Sequence, residues 1–209
     1  MRGYYAIVDV APAALADNTA LAQRARALLA ANPCCLQLRA KGADAAALRD
    51  AARAIGPVCK EAGVPFCVND RLDVALAVDA DVIHLGQDDL PLAEARAVLA
   101  ATGRRLIVGI STHNLAQARA AAAAGADYIG FGPVFGTASK LNPDPVVGLA
   151  TLAVVCREVS IPVVAIGGIT LDQVAAVAAT RASASAVISA VNAAPDPTAS
   201  ARQVAAAFL

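Results

Sequence analysis

Arg39 and Lys41, Asn69 and Asp70, Asp88 and Asp89, and Ser111 and His113 each follow within a few residues of a short apolar run. A further group, Thr137, Ser139 and Lys140, closes the stretch Gly-Pro-Val-Phe-Gly-Thr-Ala-Ser-Lys over 132–140. Together these residue types suit the handling of a multiply charged anion beside a hard metal ion. Mg²⁺ is commonly held by one or two protein carboxylates, with phosphate oxygens and water completing its shell, and Asp70 and Asp89 could supply those carboxylates. Arg39, Lys41 and Lys140 would neutralise the remaining phosphate charge, and Asn69 and Ser111 would add directional hydrogen bonds. In the 132–140 stretch Gly136 permits close backbone approach, and no acidic residue occurs until Asp144.

Each cluster taken alone has an ordinary explanation. Hydroxyl-rich turns are common, an arginine after a strand is usually solvated, and an Asn-Asp pair often caps a helix. Their position along the chain argues otherwise. Strands are expected at Tyr4–Val8, Cys35–Leu38, Pro65–Val68, Val82–Leu85, Leu106–Val108, Tyr128–Phe131, Pro162–Ile166 and Ser185–Ile188, from their short apolar, partly β-branched runs. Between them lie Ala/Leu-rich helical stretches over 17–31, 44–62, 72–78, a segment opening near Pro91, 115–124, 148–156, 172–179 and 199–208. Gly63 stands where a left-handed residue would end the second helix.

Eight alternations of strand and helix in 209 residues predict a single (β/α)₈ TIM barrel, here one domain over 1–209. An open doubly wound sheet is the alternative, and it lacks a Gly-x-Gly-x-x-Gly after the first strand. Active sites of such barrels lie at the C-terminal ends of the strands, and five successive strand ends carry the polar clusters. Gly167-Gly168 after strand seven and Ile188-Ser189 after strand eight match the usual place of a phosphate cup built from backbone N–H groups. Two anion sites are therefore expected.

Composition narrows the partners. Lys plus Arg and Asp plus Glu each number 17, so the net charge of zero offers no general attraction to nucleic acid or to an acidic membrane. The chain is 58% apolar, yet no apolar run free of charge or proline reaches membrane-spanning length, and strand one begins too early to leave a signal-peptide core. Five cysteines without CxxC spacing read as small buried hydrophobes in a reduced compartment, so a cytoplasmic protein is expected. Two histidines are too few for a histidine-based metal cluster. His84, inside strand four, reads as a packed, hydrogen-bonded residue, and His113 as more open. A homo-oligomer is left open.

The fragments Gln37-Leu38-Arg39-Ala40-Lys41, Val68-Asn69-Asp70, His84-Leu85-Gly86-Gln87-Asp88-Asp89, Gly109-Ile110-Ser111-Thr112-His113, Thr137-Ala138-Ser139-Lys140 and Ile166-Gly167-Gly168-Ile169 resemble the thiamine phosphate synthase family, in order and at the matching strand ends. The resemblance implies condensation of 4-amino-2-methyl-5-hydroxymethylpyrimidine diphosphate with 4-methyl-5-hydroxyethylthiazole phosphate. It implies Mg²⁺ on Asp70 and Asp89, and diphosphate binding by Arg39, Lys41, Asn69, Ser111 and Lys140. Gln37 would approach the pyrimidine, while Thr137, Ser139, Gly168, Ile188 and Ser189 would hold the thiazole phosphate. Ser139 stands where the family usually has threonine. Before strand eight the family commonly reads Gly-Ala-Asp-Gly where this chain has Arg181-Ala182-Ser183-Ala184, which puts that turn in doubt. The alternatives are a related thiazole tautomerase, which generally lacks the full diphosphate set, and a silent ligand-binding barrel.

Overall fold

The computed structural model describes residues 1–136 and 144–209. The expected alternation closes into a barrel: β1 (Gly3–Asp9), β2 (Cys35–Arg39), β3 (Phe66–Asn69), β4 (Val82–Leu85), β5 (Ile107–Thr112), β6 (Tyr128–Phe131), β7 (Val163–Ile166) and β8 (Ala184–Ala186) pair in sequence order. Every neighbouring pair is parallel, and β1 closes the ring on β8 through Gly3 to Tyr5 and Ala184 to Ala186. A (β/α)₈ TIM barrel is the result, and among the described residues its ring of strands leaves no sheet edge unpaired.

The helices are α1 (Asn18–Leu29), α2 (Ala45–Glu61), α3 (Leu72–Ala77), α4 (Leu92–Thr102), α5 (Leu115–Ala123), α6 (Gly148–Glu158), α7 (Val174–Ala179), α8 (Ser189–Asn192) and α9 (Pro197–Ala206). Helix α2 shows how they form. Asp44 accepts a hydrogen bond from the Ala47 N–H at 2.8 Å, capping the first turn, and Gly63 at φ 67° ends the run in the left-handed region. Its buried stripe of Leu48, Ala51, Ala52, Ile55, Val58 and Cys59 follows helical spacing and packs on the barrel. Burying one such leucine or isoleucine is worth about 1.5–3 kcal/mol.

Two apolar layers result. The larger lies between the strands' outer faces and the helices, and a smaller one fills the barrel with Tyr5, Ile7, Cys35, Cys67, Val82, Tyr128 and Val164. Alternation along each strand separates them, as Cys35 and Leu36 illustrate on β2.

Three local outcomes differ from the sequence reading. Strand β5 runs on to Thr112 rather than stopping at Val108, because Ser111 and Thr112 continue the ladder opposite Gly130 and Phe131. Strand β8 ends at Ala186, two residues short, and a one-turn helix begins at Ser189. A 3₁₀ turn over Pro12–Ala16 was not foreseen. The doubtful turn before β8 survives: Arg181 adopts φ 70°, a conformation glycine takes without steric cost. A left-handed L-residue costs roughly 1–2 kcal/mol, partly offset in any glycine by unfolded-chain entropy. Arg181→Gly should therefore stabilise the fold by about 0.5–1 kcal/mol, read as a higher urea midpoint at unchanged slope.

Candidate active site

The C-terminal ends of the strands surround a cavity of about 380 Å³. Arg39, Lys41, Asn69, Asp70, Asp89 and Ser111 line one part of its wall, and Gly168, Ile188 and Ser189 line another. Asp88 and His113 face the same space. Gln37 does not. It is 3% exposed and lies within the barrel, where its Nε2 donates to Tyr5 Oη at 3.0 Å and lies 3.7 Å from Cys67 Sγ. Thr137, Ser139 and Lys140 lie outside the described residues.

Local backbone geometry aims the two carboxylates. Asp70 sits at φ 63°, just past β3, with its N–H donating to the His84 carbonyl at 2.8 Å and the next N–H, of Arg71, donating to the Asn69 carbonyl. A tight bend follows, one that aspartate tolerates better than most L-residues. Asp89 folds back over its own loop, and its Oδ2 accepts the Gly86 N–H at 2.6 Å. A Cβ at Gly86 would stand 2.9 Å from that same oxygen, so a larger residue there would push the carboxylate from its present position.

Asp70 Oδ2 lies 2.6 Å from Lys41 Nζ. The Asp89 carboxyl is pushed up, first by burial and next by its hydrogen bond with the Asp70 carboxyl, against the lowering effect of the Gly86 N–H. Each carboxyl is thus a like charge near the other, and a cation held by both would offset that repulsion. Among the described residues no group of three or more His, Cys, Asp and Glu side chains forms a metal cage. An oxygen-only pair fits a hard ion that keeps water and substrate oxygens, which is how Mg²⁺ is commonly bound.

Arg39 is backed by Asp9 at the end of β1, with Nη1 donating to Oδ1 at 2.6 Å. Sequence reading passed over Asp9 because it ended that strand at Val8; the strand-end rule would have found it one residue later. His113 Nδ1 donates to the Gly132 carbonyl at 2.6 Å, while its Nε2 lies 3.5 Å from Asp144. Asp144 also lines the cavity and was likewise missed. His84 is packed and hydrogen bonded as expected: Nδ1 is 3.0 Å from Tyr128 Oη and Nε2 is 2.9 Å from Ser111 Oγ. Burial pushes its imidazole down to about 4, with Asp89 opposing and Lys41 adding to the shift, so the ring is neutral at pH 7.

Gly167 and Gly168 hold positive φ of 98° and 64°. The backbone of Phe135 and Gly136 packs directly on them: the Phe135 N–H donates to the Gly167 carbonyl at 2.9 Å, and a Cβ at Gly168 would lie 2.2 Å from the Gly136 oxygen. The residue preceding Thr137 is thus seated against the end of β7, beside the proposed phosphate cup.

Comparison with known proteins agrees with this geometry. The family model described as thiamine monophosphate synthase matches residues 4–191. The thiamine-phosphate synthase of Anaeromyxobacter dehalogenans is 49% identical over 208 residues, covering 100% of this chain and 88% of the relative. That of Thioalkalivibrio sulfidiphilus is 46% identical over 210 residues, covering 100% and 96%. The solved thiamine phosphate pyrophosphorylase from Pyrococcus furiosus superposes with a TM-score of 0.85 at 33% identity, covering 99% of this chain and 95% of that one.

Proposed function

The chain belongs to the thiamine monophosphate synthase family, and on that premise we propose that it catalyses the reaction of its curated relatives. 4-Amino-2-methyl-5-hydroxymethylpyrimidine diphosphate and 4-methyl-5-hydroxyethylthiazole phosphate would give thiamine phosphate and diphosphate. The bond from the pyrimidine methylene carbon to the diphosphate oxygen breaks, and a bond from the thiazole nitrogen to that carbon forms. The observation that carries the reading is the convergence of Arg39, Lys41, Asn69, Asp70, Asp89 and Ser111 on one cavity whose other wall holds Gly168 and Ser189. The relatives are synthases, so the tautomerase and silent-barrel alternatives are not favoured.

The chemistry asks for little proton transfer. An electron-rich aminopyrimidine tolerates positive charge at its methylene, so the residues' work is to stabilise the departing diphosphate and to position the thiazole nitrogen. Arg39, oriented by Asp9, and Lys41 would neutralise diphosphate charge, and Asn69 and Ser111 would donate hydrogen bonds to it. Asp70 and Asp89 would hold Mg²⁺, which supplies further positive charge against the diphosphate when bound. Lys140 is assigned to the diphosphate from the sequence resemblance, and Thr137 and Ser139 join Gly168, Ile188 and Ser189 at the thiazole phosphate. Gln37 would meet the pyrimidine from below the cavity through its carbonyl oxygen, since its amide nitrogen is engaged by Tyr5. Among the described residues no helix is long and apolar enough to cross a membrane, and five unbridged cysteines support a cytoplasmic setting.

An assay with both substrates, following diphosphate and thiamine phosphate together, tests this reading. Equal release of the two products is expected. Binding of either substrate without turnover, under Mg²⁺, would overturn it.

A further inference from the structure

Beneath the cavity a line of buried polar groups crosses the barrel from β2 to β5. Gln37 Nε2 donates to Tyr5 Oη at 3.0 Å; Tyr5 Oη and Tyr128 Oη are 2.9 Å apart; Tyr128 Oη is 3.0 Å from His84 Nδ1; and His84 Nε2 is 2.9 Å from Ser111 Oγ. Only the last of these, Ser111, reaches the cavity wall together with the substrate-binding groups. The backbone makes room for the line. A Cβ at Gly109 would fall 2.1 Å from Tyr128 Cζ, and one at Gly130 would fall 3.2 Å from His84 Cε1. Two strand glycines thus leave space for the middle of the line, on neighbouring strands whose register pairs His84 with Gly109 and Gly109 with Tyr128.

We propose that Tyr5, Tyr128 and His84 are positioning residues that orient the Ser111 hydroxyl, so that its single proton points to substrate oxygen and not into the barrel. The inference rests on the synthase reading above. A line of hydroxyls and one imidazole can be polarised in two senses, and the ends decide which. At the inner end an amide NH₂ can only donate, so Tyr5 accepts from Gln37 and has its own proton to give. Tyr128 Oη is a far better acceptor than the neighbouring cysteine sulfur, so the proton goes there, and Tyr128 in turn donates to His84 Nδ1. A neutral imidazole that accepts at Nδ1 carries its proton on Nε2, which donates to Ser111 Oγ. Ser111 then has no acceptor below it, and its O–H is left for the cavity.

The other end agrees. A diphosphate presents acceptors only, so a serine that gave its proton to His84 would turn a lone pair toward an anion. The four links join only an amide, two phenols, an imidazole and a serine hydroxyl, and Tyr5 and Tyr128 are 2% and 1% exposed, so water does not compete along the middle of the line. Cooperative strengthening along such a chain adds to the donor power of its last hydroxyl.

Tyr128→Phe removes one hydroxyl and keeps the ring, so it breaks the line one residue short of His84. Because charge on the departing diphosphate grows during reaction, the loss should fall on kcat and not on KM, by about tenfold. Ser111→Ala should cost about a hundredfold, and the double variant should match Ser111→Ala alone within about twofold, since the line acts only through that hydroxyl. Tyr128→Phe turning over at the wild-type rate, or multiplying its loss onto Ser111→Ala, would overturn the proposal while leaving the synthase activity of the wild type standing. If Tyr128→Phe does not fold, Tyr5→Phe interrupts the same line one link earlier and is subject to the same comparison.

A second readout needs no turnover. The chain has two histidines, so ¹⁵N imidazole spectra are simple, and comparison with His84→Asn identifies the relevant pair of signals. The wild type should show His84 protonated on Nε2, with a bare Nδ1 whose resonance moves in Tyr128→Phe. A proton on Nδ1 would overturn the polarity and with it the proposal. Absence of thiamine phosphate from the wild type alongside the expected spectrum would instead remove the synthase reading.

Discussion

Asp89→Asn and Asp70→Asn should each lower turnover by about a hundredfold at limiting Mg²⁺ and regain part of it as Mg²⁺ is raised. Asparagine keeps the size of the side chain and one acceptor oxygen but removes the charge that favours the ion. At residue 89 the retained oxygen can still accept the Gly86 N–H, so the loop need not unfold. At residue 70 the substitution also releases Lys41 from its 2.6 Å ion pair, and Lys41 would then be freer to face the diphosphate. Asp70→Asn should accordingly recover less by metal but bind diphosphate no worse than Asp89→Asn. Diphosphate release across a Mg²⁺ titration separates metal capture from proton transfer. A carboxylate serving as an essential base would leave the rate low at saturating metal. Full wild-type activity in chelator would remove both residues from the metal assignment.

Gly109→Ala should destabilise the protein by about 3 kcal/mol or more, the upper end of what overpacking a core costs. The added methyl would meet Tyr128 Cζ at 2.1 Å, Cε1 at 2.3 Å and Oη at 2.5 Å. Neither partner has room to retreat: Tyr128 is 1% exposed, with Tyr5 packed at a ring-centroid distance of 5.9 Å and His84 at 5.5 Å. The backbone at 109 is ordinary extended strand, so the cost is steric and not conformational. Chemical denaturation reads it directly. In a Tyr128→Val background, which removes the atoms the methyl would strike, the further cost of Gly109→Ala should fall to within about 0.5 kcal/mol. An equal cost in both backgrounds would place the strain elsewhere.

The sequence by itself determined the barrel, because its signals are local. Short apolar runs, helices capped by residues such as Asp44 and stopped by residues such as Gly63, and the order of the eight units need only spacing along the chain to be read. It also determined which strand ends carry charge, and since a parallel barrel places all such ends on one rim, the joint exposure of Arg39, Asp70, Asp89, Ser111 and Ser189 to one cavity followed from topology. The resemblance added the substrates, which no spacing could supply.

Only the tertiary structure decided what each polar group touches. Gln37 stands two residues before Arg39 on the same strand, so alternation predicts a shared face, yet one lies deeper, beneath the cavity, and the other reaches the rim, because depth along the barrel axis is set by the stagger of all eight strands. The extension of β5 to Thr112 likewise depends on partners in β6 and cannot be read from residues 106–112 alone. Arg181 keeps a glycine-like φ of 70° against its own preference, because the ends of α7 and β8 are held by the rest of the fold. Tyr5 and Tyr128 read as ordinary strand aromatics, separated by 123 residues, and their hydroxyls meet at 2.9 Å only when the ring closes. Apolar periodicity reports which face a side chain occupies; hydrogen-bond partners across a barrel depend on register, stagger and the space left by glycines on neighbouring strands.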